Sequence, residues 1–334
     1  MRRLAIIALV AGALGLAATI VLWSLPGEEF IFTPDRAKPL AERVEVEGAM
    51  PIDDGDVYYV DVFVRRTTLL ERVLPFTRPE GSTVVPEHAL LPPGTSESDR
   101  DRLNVAEMER SEEIASLVAL RALGHEVDAT AEGALVTGVF AETPAQGTLR
   151  TGDVVLAVDG RRVRTTRALQ EEVARRAPGD DVRLAVRRGD RTLQVTLGTI
   201  PNPNEPTRPF MGIQVDQAAD IELPFEIDID LGRVGGPSAG LPFALEIVRL
   251  LGEDVTGGCR IAATGELEFD GGVTPVGGIE QKTIGARRAD VDAFLVPAGA
   301  NAQEARAHAG GLRVLPVESF QQALRSLETA GLEC

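Results

Sequence analysis

Two short segments carry residues whose types and spacing suit nucleophilic catalysis. In GRVGGPSAGLPFALEIVRLLG (residues 232–252), Ser238 lies between Gly235-Gly236-Pro237 and Ala239-Gly240, and an apolar amphipathic stretch follows at once. A serine at a glycine-rich turn opening a helix has an exposed hydroxyl, with backbone N–H groups and the positive end of the helix dipole beside it. The backbone of Gly236, Pro237 and Ala239 is then the candidate oxyanion cradle. On this segment alone a helix N-cap is an equal reading, because Ser is common there. The second segment, ATGELEFDGGVTPVGGIEQKTIGARRAD (residues 263–290), places Lys282 just after Gly277-Gly278, at the start of a short helix. A serine hydroxyl is a weak nucleophile until a base takes its proton. Lysine is such a base only when neutral, and lowering its pKa from about 10.4 to near neutrality withdraws about 4 kcal/mol of ammonium solvation. Burial among Val273, Val276, Ile279 and Ile284 is the expected cause. Arginine stays protonated and cannot substitute. The chain has 32 Arg and only two Lys, Lys38 and Lys282, so a Lys at 282 is informative.

Both segments resemble the catalytic core of the Lon peptidase domain, over about residues 210–330. In that family the Ser of a GPSAG motif is the nucleophile. The Lys after a Pro-(Val/Ile)-Gly-Gly-(Ile/Leu) turn is its base. The resemblance therefore places these roles on Ser238 and Lys282. The Thr of the family's TGE motif, which supports the lysine, falls on Thr264, eighteen positions before Lys282. Many Lon peptidases carry Asp where this chain has Gly235, so no role is carried over for that acid. The segment GALVTGVFAETPAQGTLRTGDVVLAVDGRRV (residues 133–163) resembles a bacterial, protease-associated PDZ domain. That resemblance implies peptide binding by strand addition at a sheet edge. The expected edge is Leu135, Val136, Thr137, Gly138 and Val139, with the loop 131–134 near a bound carboxylate.

The elements that must position these residues can be read from patterning. Residues 4–24 hold no charge and are long enough, at about 1.5 Å per residue, to cross about 30 Å of bilayer. Arg2 and Arg3 precede the run, Glu28 and Glu29 follow it, and Trp23 is placed as an interfacial anchor. It reads as an uncleaved transmembrane anchor with the N-terminus cytoplasmic and the bulk of the chain extracytoplasmic. Residues 42–76 alternate as strands, and 77–101 form a Pro/Gly/acid-rich connection. Apolar positions at helical spacing run over 103–123, with Gly124 as C-cap. Asp159-Gly160 signals a two-residue hairpin turn, and Leu169 and Val173 give a helix over 167–176 an apolar face. The four prolines of 201–209 make a stiff linker. The resulting division is an anchor (1–26), a β-rich part of the peptidase domain with linker and helix (27–116), a PDZ domain (117–200) and the Lon-like peptidase domain (201–334). The fold class is α+β, a Lon-type domain with an inserted mixed α/β PDZ domain behind one transmembrane helix. This arrangement resembles a bacterial class of membrane-anchored PDZ–Lon proteases, in which the N-terminal β-rich piece completes the peptidase domain.

Composition removes other classes. A net charge of −17 argues against nucleic-acid binding through phosphates. Cys259 and Cys334 form neither a disulfide framework nor a four-ligand zinc site, and three histidines do not make a metal centre. The alternating EIDID stretch reads as a strand with one wet face rather than a cation site. Neither Lys completes a G-x-x-x-x-G-K-(S/T) phosphate loop. The expectation is an ATP-independent endopeptidase without metal or cofactor, acting on exposed or unfolded peptide segments that the PDZ domain presents. The Lon resemblance also implies a homo-oligomer, a hexamer. Two rivals stand beside it. Gly236-Pro237-Ser238-Ala239-Gly240 fits the nucleophile elbow of an α/β-hydrolase, with Asp290 or Asp292 and His308 following in that fold's order. A non-catalytic, membrane-tethered PDZ scaffold is the other.

Overall fold

The alternating apolar positions assemble into three sheets that matter for the site. In the computed structural model of the chain, residues 2–49, 55–90, 97–203, 205–232, 234–332 and 334 are described. A helix, Arg2–Ser24, leads into a small antiparallel sheet in which Pro26–Pro34 lies between Val62–Thr68 and Thr83–Pro86. Leu9, Leu14, Leu16 and Trp23 of that helix are exposed. Among the described residues no helix is long and apolar enough to cross a membrane, so the span expected over residues 4–24 is not shown.

The peptidase sheet draws strands from both ends of the chain. Asp56–Tyr59, Arg260–Ala263, Ala293–Pro297 and Arg313–Val317 run parallel in that order, and Lys38–Pro39 closes one edge antiparallel. Parallel strands covered on both faces read as continuous apolar runs, and all five residues of AFLVP (293–297) are buried. The pleat sorts them. Ile261, Ala263, Ala293 and Leu295 face a core shared with the helix Gly240–Leu250 and with Met108, Ile114 and Val118 of the long helix Glu97–Ala122. Ala262, Phe294 and Val296 face the opposite core, against Ile279 and Ala286 of the helix Ile279–Arg288. The serine segment and the lysine segment therefore approach from opposite faces, and meet where Arg260–Ala263 ends. The carboxyl ends of parallel strands are the usual place for a site in such sheets. Val44–Val46 pairs with Ile227–Ile229. Exposure alternates through residues 225–230, which is the one-wet-face strand expected for EIDID.

The second body is a six-stranded antiparallel sheet with the order Arg191–Gly198, Asp181–Arg188, Val154–Val158, Asp128–Val139, Ile213–Glu222, and Arg161–Arg162 pairs with Val154–Val158 off this path. The helix Thr166–Ala174 buries Leu169 and Val173 against it, and Thr165 caps that helix by accepting from the Ala168 N–H. Asp159 and Gly160 both adopt positive φ, and Val158 faces Arg161 across them, so the expected hairpin turn is present.

Ile213–Glu222, beyond the boundary drawn at residues 200/201, adds to this sheet as its last strand. The prolines of 201–209 mark only a short excursion, which Ile200–Pro201 and Pro209–Phe210 close by pairing. Strand pairing over ten residues outweighs local punctuation. The cysteines are also joined, Cys259 to Cys334, with Cα atoms 5.3 Å apart. Their separation in sequence concealed a proximity that only the folded chain creates.

Candidate active site

Ser238 lies on a single 3-10 turn, Pro237–Ala239, that runs directly into the buried helix Gly240–Leu250. Neither start has a side-chain capping hydrogen bond, so Ser238 is not serving as an N-cap. The long helix Glu97–Ala122 grips the turn from outside. The Gly236 N–H donates to the Asn104 carbonyl at 3.0 Å, and the Ser111 hydroxyl donates to the Pro237 carbonyl at 3.1 Å. Asn104 and Ser111 are seven residues apart, hence on one helix face. Sequence reading missed both; Asn104 acts through its backbone, which any residue supplies, and only the buried hydroxyl of Ser111 was a usable signal.

This grip explains the glycine at 235. A Cβ there would stand 2.6 Å from the Asn104 Cβ, so the aspartate of many Lon peptidases has no room. It also corrects the expected oxyanion cradle. Gly236 has spent its N–H on Asn104, and Pro237 has none to offer. Of the three positions named, only Ala239 keeps a backbone donor at the turn, beside that of Ser238 itself.

Lys282 enters from the other face of the sheet. Gly278 starts its helix in the left-handed region, φ 71°, which favours glycine. Lys282 is 4% exposed, and burial pushes its pKa down to about 7, against the opposing charge of Asp61. Its Nζ donates to the Thr264 hydroxyl at 3.1 Å, and that hydroxyl donates to the backbone carbonyl of Ser238 at 3.1 Å. The Gly265 N–H donates to the same carbonyl at 2.9 Å. Thr264 is fully buried, so one hydroxyl fixes both the Lys282 amine and the Ser238 backbone. Among the described residues no hydrogen bond joins the Ser238 Oγ directly to the Lys282 Nζ. A neutral amine bound to Thr264 through one N–H keeps its lone pair for a serine proton.

Thr264→Val keeps the volume but takes from the buried Lys282 amine its hydrogen-bond partner, while the Ser238 carbonyl keeps the Gly265 N–H. At about 1–3 kcal/mol per lost buried partner, kcat should fall about 10–100-fold. Thr264→Ser should restore most of it. Steady-state kinetics of the two variants, with melting curves alongside, check this.

The esterase triad does not form. His308 faces Glu280, Nδ1 to Oε1 at 3.8 Å, and Asp292 accepts from the Arg260 N–H. Among the described residues neither contacts Ser238.

The peptide edge expected over Leu135–Val139 is occupied. Ile213 pairs with Val139, Gln214 with Gly138, Val215 with Val136 and Asp216 with Leu135, so these positions cannot accept a ladder from a ligand. The open edge belongs instead to Ile213–Glu222, the last strand of its sheet among the described residues. Between its start and the helix Thr166–Ala174 runs a groove lined by Leu169, Val173, Met211, Ile213 and Val215. Farther along, Arg110 of the long helix donates to the Gln217 carbonyl and pairs with Asp216 at 3.2 Å, closing the edge there. Glu107 and Glu266 lie at this junction between the two bodies. Burial, with Asp216 adding repulsion, pushes Glu107 up to about 7 and Glu266 up to about 8.

Comparison with known families gives two matches. Residues 121–199 match the PDZ domain family, and residues 227–327 match the Lon protease (S16) C-terminal proteolytic domain. Lon protease of Roseiflexus castenholzii is 38% identical over 112 residues, 34% of this chain and 13% of that protein. Lon protease 1 of Sorangium cellulosum is 34% identical over 122 residues, covering 33% of the chain and 14% of the relative. The mitochondrial Lon protease homolog of Mus musculus is 45% identical over 64 residues, 19% and 6%. A solved PDZ domain of an SdrC-like protein from Listeria monocytogenes covers 25% of this chain and 87% of its own, at 22% identity and TM-score 0.24. The chain carries a PDZ domain and a Lon-type serine peptidase domain. It spans about one seventh or less of the length of these three relatives.

Proposed function

We propose that this chain is an ATP-independent serine endopeptidase that cleaves exposed or unfolded peptide segments. Ser238 is the nucleophile, Lys282 the general base and Thr264 the residue that fixes both. The observation that carries this reading is the buried Lys282 amine, its pKa pushed down to about 7 by burial, tied through one hydroxyl to the Ser238 backbone. The reaction follows from these parts. Lys282 takes the Ser238 proton as the Oγ attacks the peptide carbonyl, and the Ser238 and Ala239 N–H groups face the developing oxyanion. Lys282 then returns the proton to the leaving amine, and water releases the acyl group by the reverse path. Incubating an unfolded protein and a fluorogenic peptide without nucleotide tests the reading. Wild type should cut both and take up a serine-reactive probe, and Ser238→Ala should do neither. No probe uptake by wild type would favour the scaffold, and uptake by Ser238→Ala would place the nucleophile elsewhere.

Substrate presentation belongs to the groove between Thr166–Ala174 and Ile213–Glu222, whose apolar lining suits an extended peptide added along the open edge. Within the same proposal the chain is anchored by residues 4–24 and works outside the cytoplasm. The uncharged run and its flanking charges support that placement, as does a disulfide, since such bonds persist in oxidising compartments. Assembly into a ring, a hexamer, is part of the reading through the Lon resemblance, and sedimentation in detergent checks it.

A further inference from the structure

Lys38 is paired with Asp61, whose chain neighbour Val62 packs against the start of the helix that carries Lys282. The helix that carries Lys282 is clasped at both ends by the N-terminal part of the chain. At one end a Cβ on Gly278 would lie 2.8 Å from the Val62 Cγ2, and at the other a Cβ on Gly285 would lie 2.0 Å from the Asp35 carbonyl. The Ala37 N–H also donates to the Gly285 carbonyl at 3.2 Å. Only glycine permits these approaches, and they bring Asp35, Lys38 and Asp61 beside the catalytic helix. Lys38 Nζ lies 2.8 Å from Asp35 Oδ2 and 3.2 Å from Asp61 Oδ2. The other oxygen, Asp61 Oδ1, is buried and has no hydrogen-bond partner among the described residues. Such an atom in a low-dielectric site is costly unless a charge nearby compensates it.

Among the described residues no ion pair or hydrogen bond joins Asp61 to Lys282, yet the Asp61 charge reaches the amine and favours its protonated form. Lys282 passes through that form in every turnover. We propose that Asp61 is a positioning residue for the base, its unpartnered Oδ1 stabilising the Lys282 ammonium that forms when Ser238 gives up its proton, while Lys38 attenuates it through Oδ2. The balance is needed. An unattenuated carboxylate would hold Lys282 protonated before the reaction, and no carboxylate would leave the ammonium in apolar surroundings. Other charges confirm the local wiring. Burial raises the Asp61 carboxyl and Lys38 opposes that rise, while Asp35 adds to it. Lys38 also lies over the Tyr59 ring, 5.8 Å from its centroid. Glu280 on the catalytic helix is turned towards Thr83 and His308.

This inference rests on the Ser–Lys reading, and pH profiles of the full-length chain separate the two. Asp61→Asn keeps the shape and removes the charge. It should move the acidic midpoint of kcat/KM to lower pH by about one unit, as expected for one charge removed within several ångströms, and cut kcat about tenfold at pH 8. Lys38→Gln should move the midpoint to higher pH, and Lys38→Arg should leave it near the wild-type position. A merely structural role for Asp61 would lower the melting temperature and scale the rate equally at all pH values, with the midpoint fixed. That outcome, or opposite movement in Lys38→Gln, overturns the proposal while leaving the dyad intact. Full activity in Lys282→Met would instead overturn the dyad.

Discussion

Lys282→Met is expected to abolish peptide cleavage, at least about 10³-fold in kcat, while making the fold more stable. Methionine matches the length and volume of lysine without a charge to desolvate. The sign follows from linkage. The folded state depresses the amine to about 7 from an ordinary 10.5. Its penalty on stability is absent above pH 10.5, grows as pH falls, and is complete below about 7. At pH 7 the substitution should therefore add up to about 4 kcal/mol, and nothing near pH 11. Wild-type kcat/KM should rise with pH through about 7, because only the neutral amine accepts the Ser238 proton. Lys282→Arg should be equally dead and less stable, since it buries a guanidinium that stays charged. Denaturant curves at pH 7 and 11, with kinetics from pH 5 to 9, check all three. An active Lys282→Arg would remove the mechanism.

Breaking the Cys259–Cys334 bond is expected to cost about 4 kcal/mol of stability, from the entropy that a closed loop of about 75 residues removes from the unfolded chain. The site should suffer with it. Cys259 immediately precedes the strand Arg260–Ala263 that delivers Thr264, and its carbonyl accepts from the Asp56 N–H across the sheet at 3.1 Å. Loosening that strand start loosens the contact between the two segments that build the peptidase sheet. Unfolding midpoints with and without reductant should differ, and Cys334→Ser should match the reduced wild type. Equal midpoints would show that the bond contributes nothing to this fold.

The peptidase class was largely legible because it is written in short, ungapped segments. A glycine-rich turn around Ser238, a second before Lys282 and the TGE run at 264 each carry their own chemistry, and the scarcity of Lys sharpened one of them. The signals that misled were those requiring a partner across the chain. Leu135–Val139 has the alternation of an open edge, and nothing local reveals that Ile213–Glu222 covers it. The prolines at 201–209 read as a boundary because punctuation is local whereas strand addition is not. Asn104 and Ser111 looked like ordinary helix polar positions until the helix was seen to hold the serine turn.

By itself, then, the sequence determined the kind of chemistry: a hydroxyl, an amine that arginine could not replace, a threonine at fixed spacing, and the turns that expose them. Tertiary structure decided everything that depends on distance through space. It brought Ser238 and Lys282 from opposite faces of one sheet to the end of Arg260–Ala263, covered Leu135–Val139 with Ile213–Glu222, joined Cys259 to Cys334, and paired Lys38 with Asp61. Residue type and local spacing fix what a group can do. Packing fixes how dry it is and what stands beside it, and those two quantities govern whether an amine at position 282 is a base.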